Sequence, residues 1–244
     1  MELRGRVALV TGGARRVGKA ITLALARAGA HVIINHHASP AAAHETEWAA
    51  RALGVEALAF QADITDRARV DEMVRAATAR FGAIDLLVNN ASPFEPTPFP
   101  TADVAAWQRV IEQIIHGSFY VTNAVAPGML AQQRGAIINL VDMFAFSPRK
   151  NFAAHGVGKA GLLAMTRQFA LDLAPHVRVN AIAPGPVLPP DDYTPERMIQ
   201  TASRTVLKRW GTADDIAETV LFLARAEYIT GEVIVVDGGE HLGQ

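Results

Sequence analysis

Short apolar runs that alternate with longer helical patterns are the feature that most restricts how this chain can fold. The runs are rich in Val, Ile, Leu and Ala and lie at residues 7–10, 32–34, 57–60, 86–88, 137–141, 179–182 and 233–236. They are apolar nearly throughout, as strands buried on both faces of a parallel sheet must be. The alternation predicts an α/β Rossmann fold, with a seven-stranded, mostly parallel, doubly wound sheet and helices on both faces.

Turn and cap residues fit this order of elements. Gly29 is placed to close the first helix, Ser39 and Pro40 to open the second, and Gly82 to follow the third. Two proline-rich segments, 92–100 and 184–195, come just after predicted strands. Ligands of open α/β sheets bind beyond the carboxyl ends of the strands, so both segments are candidate substrate loops.

Length and composition restrict the class of protein. The 244 residues carry a net charge of -1 without a basic run, which favours one domain over 1–244 and small-molecule partners over nucleic acid or an anionic membrane. The absence of cysteine excludes disulfides and zinc–thiolate sites, and no secretory or membrane-spanning segment is visible, so we expect a cytoplasmic protein. His116, His176 and His241 lack metal-ligand spacing, so we expect no metal site.

A glycine-containing turn joins the first predicted strand to the first helix. Its candidate phosphate-binding residues are Gly12, Arg15, Arg16, Val17 and Gly18. Glycines allow the backbone to approach a pyrophosphate, whose charge the free amides of the helix N-terminus stabilise. Arg16 occupies the middle glycine position of the usual fingerprint, and an ordinary strand-to-helix turn is the alternative interpretation.

Several further motifs occur in one order along nearly the whole chain. They are the glycine turn, Asp63 and Ile64 after the third strand, Asn90 and Ala91 after the fourth, Lys159 in a helix, and Pro184 and Gly185 after the sixth. As a set they resemble the short-chain dehydrogenase/reductase family. The resemblance implies that these residues bind a nicotinamide cofactor.

Within that family the chain most resembles the pteridine reductases. Arg16 stands in the glycine turn, Asn90-Ala91-Ser92-Pro93-Phe94 follows the fourth strand, and Asp142 replaces the usual catalytic Ser. The resemblance implies that Arg16, Ser92 and Phe94 face the cofactor phosphates and a flat heteroaromatic substrate. It also implies a homotetramer or homodimer formed through the helix around 161–173, for which burial within the subunit is the alternative.

The end of the second strand bears on the choice of cofactor. The sequence there is Asn35-His36-His37-Ala38-Ser39, without the carboxylate that usually binds the ribose 2′-hydroxyl of NAD. His37, Ser39 and Arg15 are candidates to bind a 2′-phosphate, so we predict NADPH/NADP+. A solvated strand end is the alternative for His36 and His37.

The family's catalytic tyrosine, four residues before Lys159, is absent. His155 takes its place, while Phe152 and Ile114 occupy two other positions where relatives carry polar catalytic groups. One helical turn places His155 beside Lys159. We therefore expect Asp142 and His155 to form a coupled acid pair that delivers a proton as hydride arrives. The alternative is that His155 fills space and Asp142 caps a loop.

The sequence is compatible with three functions. The first is an NADPH-dependent reductase of a pterin-like or other planar C=N or C=O substrate, in which Tyr193 of the second loop is a further candidate substrate contact. The second is a catalytically degenerate NADP(H)-binding protein. The third is a carbonyl or alcohol short-chain reductase with an atypical proton donor.

Overall fold

The computed structural model describes residues 1–190 and 193–243 and contains a seven-stranded sheet within them. The strands are β1 (Val7–Val10), β2 (His31–His36), β3 (Ala57–Gln61), β4 (Leu86–Asn89), β5 (Gly135–Leu140), β6 (Val177–Pro184) and β7 (Val233–Val236). Their order is β3-β2-β1-β4-β5-β6-β7, and every neighbouring pair is parallel. The predicted doubly wound α/β fold is therefore confirmed.

Helices connect the strands. They are α1 (Arg16–Arg27), α2 (Pro40–Ala52), α3 (Arg67–Phe81), α4 (Val104–Ile111), α5 (Ser118–Ala131), α6 (Ala153–Asp172), α7 (Pro195–Arg204) and α8 (Ala213–Arg225). A π-helical segment, Glu112–Gly117, joins α4 to α5, and short 3-10 turns occur at Met143–Ala145 and Glu240–Gly243. Among the described residues, no helix combines the length and apolarity needed to cross a membrane.

Alternate strand residues enter different cores, because successive side chains point to opposite faces of a sheet. Val10 and Val88 pack with α1 and α8 on one face. Leu9 and Leu87 pack with α3 and α5 on the other. Burial on both faces explains the nearly continuous apolar runs of the sequence.

A chain of buried amides fixes α6 against the centre of the sheet. Asn89 Nδ2 donates to Asn139 Oδ1 at 2.9 Å, and Asn139 Nδ2 donates to Thr166 Oγ1 at 2.9 Å. Asn89 and Asn139 are also register partners on β4 and β5. These bonds pair the buried amides of Asn89 and Asn139 and hold the helix that carries His155 and Lys159.

The small residues of α6 have a use within the subunit. A Cβ placed on Gly161 would lie 2.6 Å from the Ile115 side chain of the π-helical segment. Val157 and Leu171, on the same helix, are exposed. Packing inside the subunit thus accounts for Gly161, and assembly through this helix stays a prediction.

Candidate functional site

The glycine turn lies where the strand order reverses between β1 and β4. Gly12 has a φ of 61°, and a Cβ on Gly18 would come within 2.1 Å of the Gly12 carbonyl oxygen. Asn90 Nδ2 donates to the Thr11 and Gly12 carbonyls at 2.9 and 3.2 Å. The turn therefore requires glycine at both positions, and the Asn90 side chain, just after β4, holds it in place.

The start of α1 offers amides to an anion. Its N-cap residue, Arg15, makes no side-chain capping bond, and its first turn contains no acidic residue. Helix N-termini of this kind stabilise negative charge through their free N–H groups and the helix dipole. This geometry suits the predicted pyrophosphate site.

A cleft of about 480 Å³ opens above this turn, and we call it the glycine-turn cleft. Most predicted cofactor residues line it, together with one predicted substrate residue: Gly12, Arg15, Arg16, Val17, Gly18, His37, Ser39, Asp63, Ile64, Asn90, Ala91 and Ser92. Six lining residues were not among the predicted site residues: Ala14, Asn35, His36, Ala38, Ala62 and Gln113. Asn35 could have been found from its place at the end of β2, where its Oδ1 accepts from the Gly12 amide at 3.2 Å.

The end of β2 differs from a solvated strand end at one of its two histidines. His36 is buried, and its Nδ1 has no hydrogen-bond partner among the residues that the structure describes. Burial lowers the pKa of His36, and the nearby His44 and His37 lower it further. His37 is exposed, and its Nδ1 lies 3.3 Å from Asp63 Oδ2. A carboxylate from the end of β3 thus stands beside the strand end that lacks one of its own.

A second cleft of about 560 Å³ adjoins the first, and we call it the aromatic cleft. It shares Arg15, Arg16 and Val17 with the glycine-turn cleft, so the two are continuous. The predicted residues Phe94, Asp142, Pro184, Gly185 and Tyr193 line it. His155 and Lys159 lie behind the cleft walls, each at most 3% exposed.

Asp142 and His155, predicted to form an acid pair, lie next to each other. Asp142 Oδ2 lies 3.4 Å from His155 Nε2, and His155 Nδ1 lies 3.1 Å from the Pro93 carbonyl oxygen. A carbonyl oxygen can only accept a hydrogen bond, so Nδ1 carries a proton and donates a hydrogen bond to the Pro93 carbonyl. The other ring nitrogen, Nε2, faces the carboxylate. The Asp142 side chain is 26% exposed, so the carboxylate reaches the cleft and the imidazole does not.

Asp142 also caps a loop, as the alternative interpretation of this residue proposed. Oδ1 accepts from the Phe144 amide at 3.0 Å and caps the 3-10 turn Met143–Ala145. Capping fixes the carboxylate and leaves Oδ2 directed to His155. The two expectations for Asp142 are therefore compatible.

Aromatic rings enclose the imidazole. The Phe94 and Phe144 rings each meet the His155 ring edge-on at 5.3 Å between centroids. Phe152 stacks on Phe94 at 4.7 Å. Phe94 is half exposed, so one aromatic face remains open to the cleft for a planar ligand.

Lys159 is a buried cation on α6, one turn after His155. Its Nζ donates to the Leu140 carbonyl at 2.7 Å. Burial lowers the pKa of Lys159 from 10.5 to about 8, and the charge of Asp142 opposes that shift. Ile114, in the π-helical segment, packs against Gly158 of α6, so the position of Ile114 supplies no polar group.

Arg16 connects the two clefts. Its φ of 52° lies in the left-handed region, which is strained for a non-glycine residue. Its Nη2 donates to the carbonyls of Pro189 and Leu188, at 3.0 and 3.4 Å, in the second proline-rich segment. The residue predicted at the phosphate turn therefore also holds the predicted substrate loop.

Tyr193 of the second loop lines the aromatic cleft together with Trp210, which lies between α7 and α8. The Tyr193 ring packs beneath Arg197, 3.9 Å from the guanidinium carbon, and contacts Trp210 at 6.1 Å between centroids. Sequence analysis did not identify Trp210 as a lining residue of this cleft. It also missed Phe144, Arg149, Arg204 and Glu240, which no local motif distinguishes.

Within residues 1–190 and 193–243, no three His, Asp or Glu side chains converge on one point that would hold a metal ion. Both clefts are lined by carboxylates and by arginines, and the buried Lys159 lies behind the aromatic cleft.

The sequence model of a family described as enoyl-(acyl carrier protein) reductase matches residues 12–241. The 3-oxoacyl-[acyl-carrier-protein] reductase FabG of Thermotoga maritima is 37% identical over 250 residues, covering 98% of this chain and 99% of that protein.

Two solved structures have the same architecture. A putative short-chain alcohol dehydrogenase from Sinorhizobium meliloti is 34% identical, with a TM-score of 0.94 and coverage of 100% of this chain and 99% of that one. An NAD+-bound xylitol dehydrogenase is 30% identical, with a TM-score of 0.91 and coverage of 98% and 100%.

Proposed function

The chain belongs to the short-chain dehydrogenase/reductase family of NAD(P)-dependent oxidoreductases, and we propose that it is an NADPH-dependent reductase of a planar C=N or C=O substrate. A pterin-like ring is the first candidate substrate. The observation that carries the proposal is the Asp142 carboxylate, which faces the aromatic cleft with His155 Nε2 3.4 Å behind it. A proton source thus stands where the family's tyrosine is missing.

The pair delivers a proton while the hydrogen bond from His155 Nδ1 to the Pro93 carbonyl stays in place. The proton shared between His155 Nε2 and Asp142 Oδ2 passes through the carboxyl group to the nitrogen or oxygen that gains charge in the substrate. His155 then remains neutral, and its Nδ1 proton still bonds the Pro93 carbonyl.

Lys159 lies behind the wall of the aromatic cleft and supports the proposed proton delivery. With a pKa of about 8 it is mostly charged at neutral pH, and the Asp142 carboxylate helps to keep it so. Its charge and its bond to Leu140 set the electrostatics of the wall next to the acid pair. In the family pattern the matching lysine orients the nicotinamide ribose, and we propose the same role for Lys159.

The residues present fit a nicotinamide cofactor. The cradle at Gly12 and Gly18 leaves no room for a Cβ at Gly18, and the uncapped start of α1 faces the same cleft. The cofactor supplies the hydride when bound. His37, Ser39 and Arg15 support a 2′-phosphate and hence NADPH, while Asp63 beside His37 makes a direct comparison with NADH necessary.

A carbonyl or alcohol substrate is the second candidate. It is favoured by the relatives, which include a 3-oxoacyl reductase and a xylitol dehydrogenase. We further propose a small-molecule partner, a homotetramer or homodimer to be checked by light scattering, and the reducing cytoplasmic setting that a chain without cysteine suits.

The test begins with calorimetric titration of the protein with NADPH and NADH. NADPH oxidation is then followed with dihydropterin and dihydrofolate, and with a small panel of 3-oxoacyl and polyol-derived carbonyl compounds. Oxidation with the pterins supports the first candidate, and oxidation with the carbonyl panel alone supports the second. Tight NADPH binding without any turnover would contradict the reductase proposal and favour a binding protein.

A further inference from the structure

Two arginines and a buried glutamate meet in the wall of the aromatic cleft. Arg149 lies between β5 and α6, Arg204 ends α7, and Glu240 follows β7. Glu240 Oε1 accepts from Arg149 Nη2 at 2.7 Å and from Arg204 Nε at 3.0 Å. The three segments therefore converge on one carboxylate oxygen.

The cluster holds more positive than negative charge. Two guanidinium groups share a single carboxylate, and Glu240 is only 3% exposed, whereas the arginine side chains are 31% and 46% exposed. Each guanidinium has five N–H donors in a planar fork, which suits forked recognition of a carboxylate. Glu240 holds both guanidinium groups, and both arginines line the aromatic cleft.

Phe144 connects this cluster to the acid pair. The Arg149 guanidinium lies over the Phe144 ring, 5.1 Å from its centroid, while the same ring contacts His155 at 5.3 Å. The amide of Phe144 also donates to Asp142. One aromatic ring thus separates the proposed proton source from the arginine pair.

We infer that Arg149 and Arg204 bind a carboxylate of the substrate, an inference that rests on the reductase function proposed above. The substrate class is then a planar C=N or C=O compound with a carboxylate about one aromatic ring away from the reducible bond. The single excess positive charge matches one carboxylate and would leave a phosphate dianion partly uncompensated.

A merely structural cluster is the competing interpretation. One arginine is enough to pair with one buried carboxylate, and the second adds a charge that the Glu240 side chain does not neutralise. Apolar residues such as Met143, Val187 and Leu188 form much of the surrounding wall. A positive group held in such a wall attracts an anion more strongly than it would in open solvent.

The test compares 4-formylbenzoate with 4-formylbenzamide, which differ only in the carboxylate. Wild type is expected to have the higher kcat/KM for the acid, and Arg149→Gln and Arg204→Gln should each reduce the acid-to-amide ratio by roughly tenfold or more. Arg75→Gln on α3, an exposed arginine outside both clefts, is the matched control and should keep the wild-type ratio. Arg204→Lys keeps the charge without the fork and should give an intermediate ratio.

Binding in the presence of NADP+ provides a readout that needs no turnover. Calorimetric dissociation constants of the same two aldehydes should show the same acid preference and the same loss in the arginine variants. If wild type turns over neither compound, the reductase proposal fails for them, and the binding ratio still tests the subsite. An acid-to-amide ratio that is equal in wild type, Arg149→Gln, Arg204→Gln and Arg75→Gln overturns the inference, whatever happens to their melting temperatures.

Discussion

Lys159→Met is expected to remove a distinctive pH dependence from the stability of the protein. Burial lowers the pKa of Lys159 to about 8 in the folded chain, from 10.5 in the unfolded one. Between these values the unfolded chain binds more protons than the folded chain, so the Lys159 contribution to stability rises with pH. Below about pH 8 the full penalty for burying the charged ammonium group is present.

The size of the effect follows from the two pKa values. Between about pH 7 and about pH 9.5, the unfolding free energy of wild type should rise by about 2 kcal/mol relative to that of Lys159→Met. Methionine keeps the apolar stem and cannot titrate. The lost bond to the Leu140 carbonyl shifts the variant's stability by a constant amount and leaves the pH slope unaffected.

Urea unfolding at a series of pH values measures this difference directly. Asp142→Asn is the companion variant, because the charge of Asp142 raises the pKa of Lys159 and its removal should move the window to lower pH. A wild-type minus Lys159→Met difference that is flat or falls with pH would refute the reasoning. That result would mean that Lys159 is not a desolvated cation in the folded protein.

Three other predictions concern the turn, the acid pair and the support of α6. Gly18→Ala should abolish NADPH binding in a calorimetric titration, because its Cβ would lie 2.1 Å from a carbonyl oxygen; a dissociation constant near that of wild type would contradict this. His155→Phe should reduce kcat at least about tenfold, and unchanged turnover would exclude His155 from proton delivery. Asn139→Ala should lower the unfolding free energy by about 1–3 kcal/mol, since it leaves buried partners on β4 and α6 unsatisfied; equal urea midpoints would argue against that network.

The fold was predictable because its signals are local. Each strand is an apolar run of a few residues, and helix caps such as Ser39 and Gly82 lie where the sequence placed them. The boundaries shifted by a few residues, as at β6, which spans Val177–Pro184 where the prediction was 179–182. Hydrogen bonding to neighbouring strands, which the runs do not encode, extends the ends.

Part of the site was also visible in the sequence. Gly12, Gly18 and Asn90 belong to short motifs whose geometry depends on residues near in sequence or on a shared sheet edge. Helical periodicity placed His155 and Lys159 one turn apart, and both lie buried on α6. These relations follow from backbone regularities that hold in any α/β sheet.

Other relations depend on distant segments and emerged only in three dimensions. The sequence suggested that Asp142 and His155 pair, but the carboxylate's exposure to the cleft and the imidazole's place behind Phe94 and Phe144 depend on how two loops pack. Asp63 comes to His37 from a different strand. The charge next to a histidine is a property of its neighbours in space.

The sequence thus dictated the sheet, its buried faces and the phosphate-type turn, because these arise from residue periodicity and local backbone restrictions. Tertiary packing decided which groups face the cleft and that Lys159 is buried away from water. It also brought Arg149, Arg204 and Glu240 together. Those outcomes depend on burial and on distances of a few ångströms between residues up to 91 positions apart, which local sequence patterns do not specify.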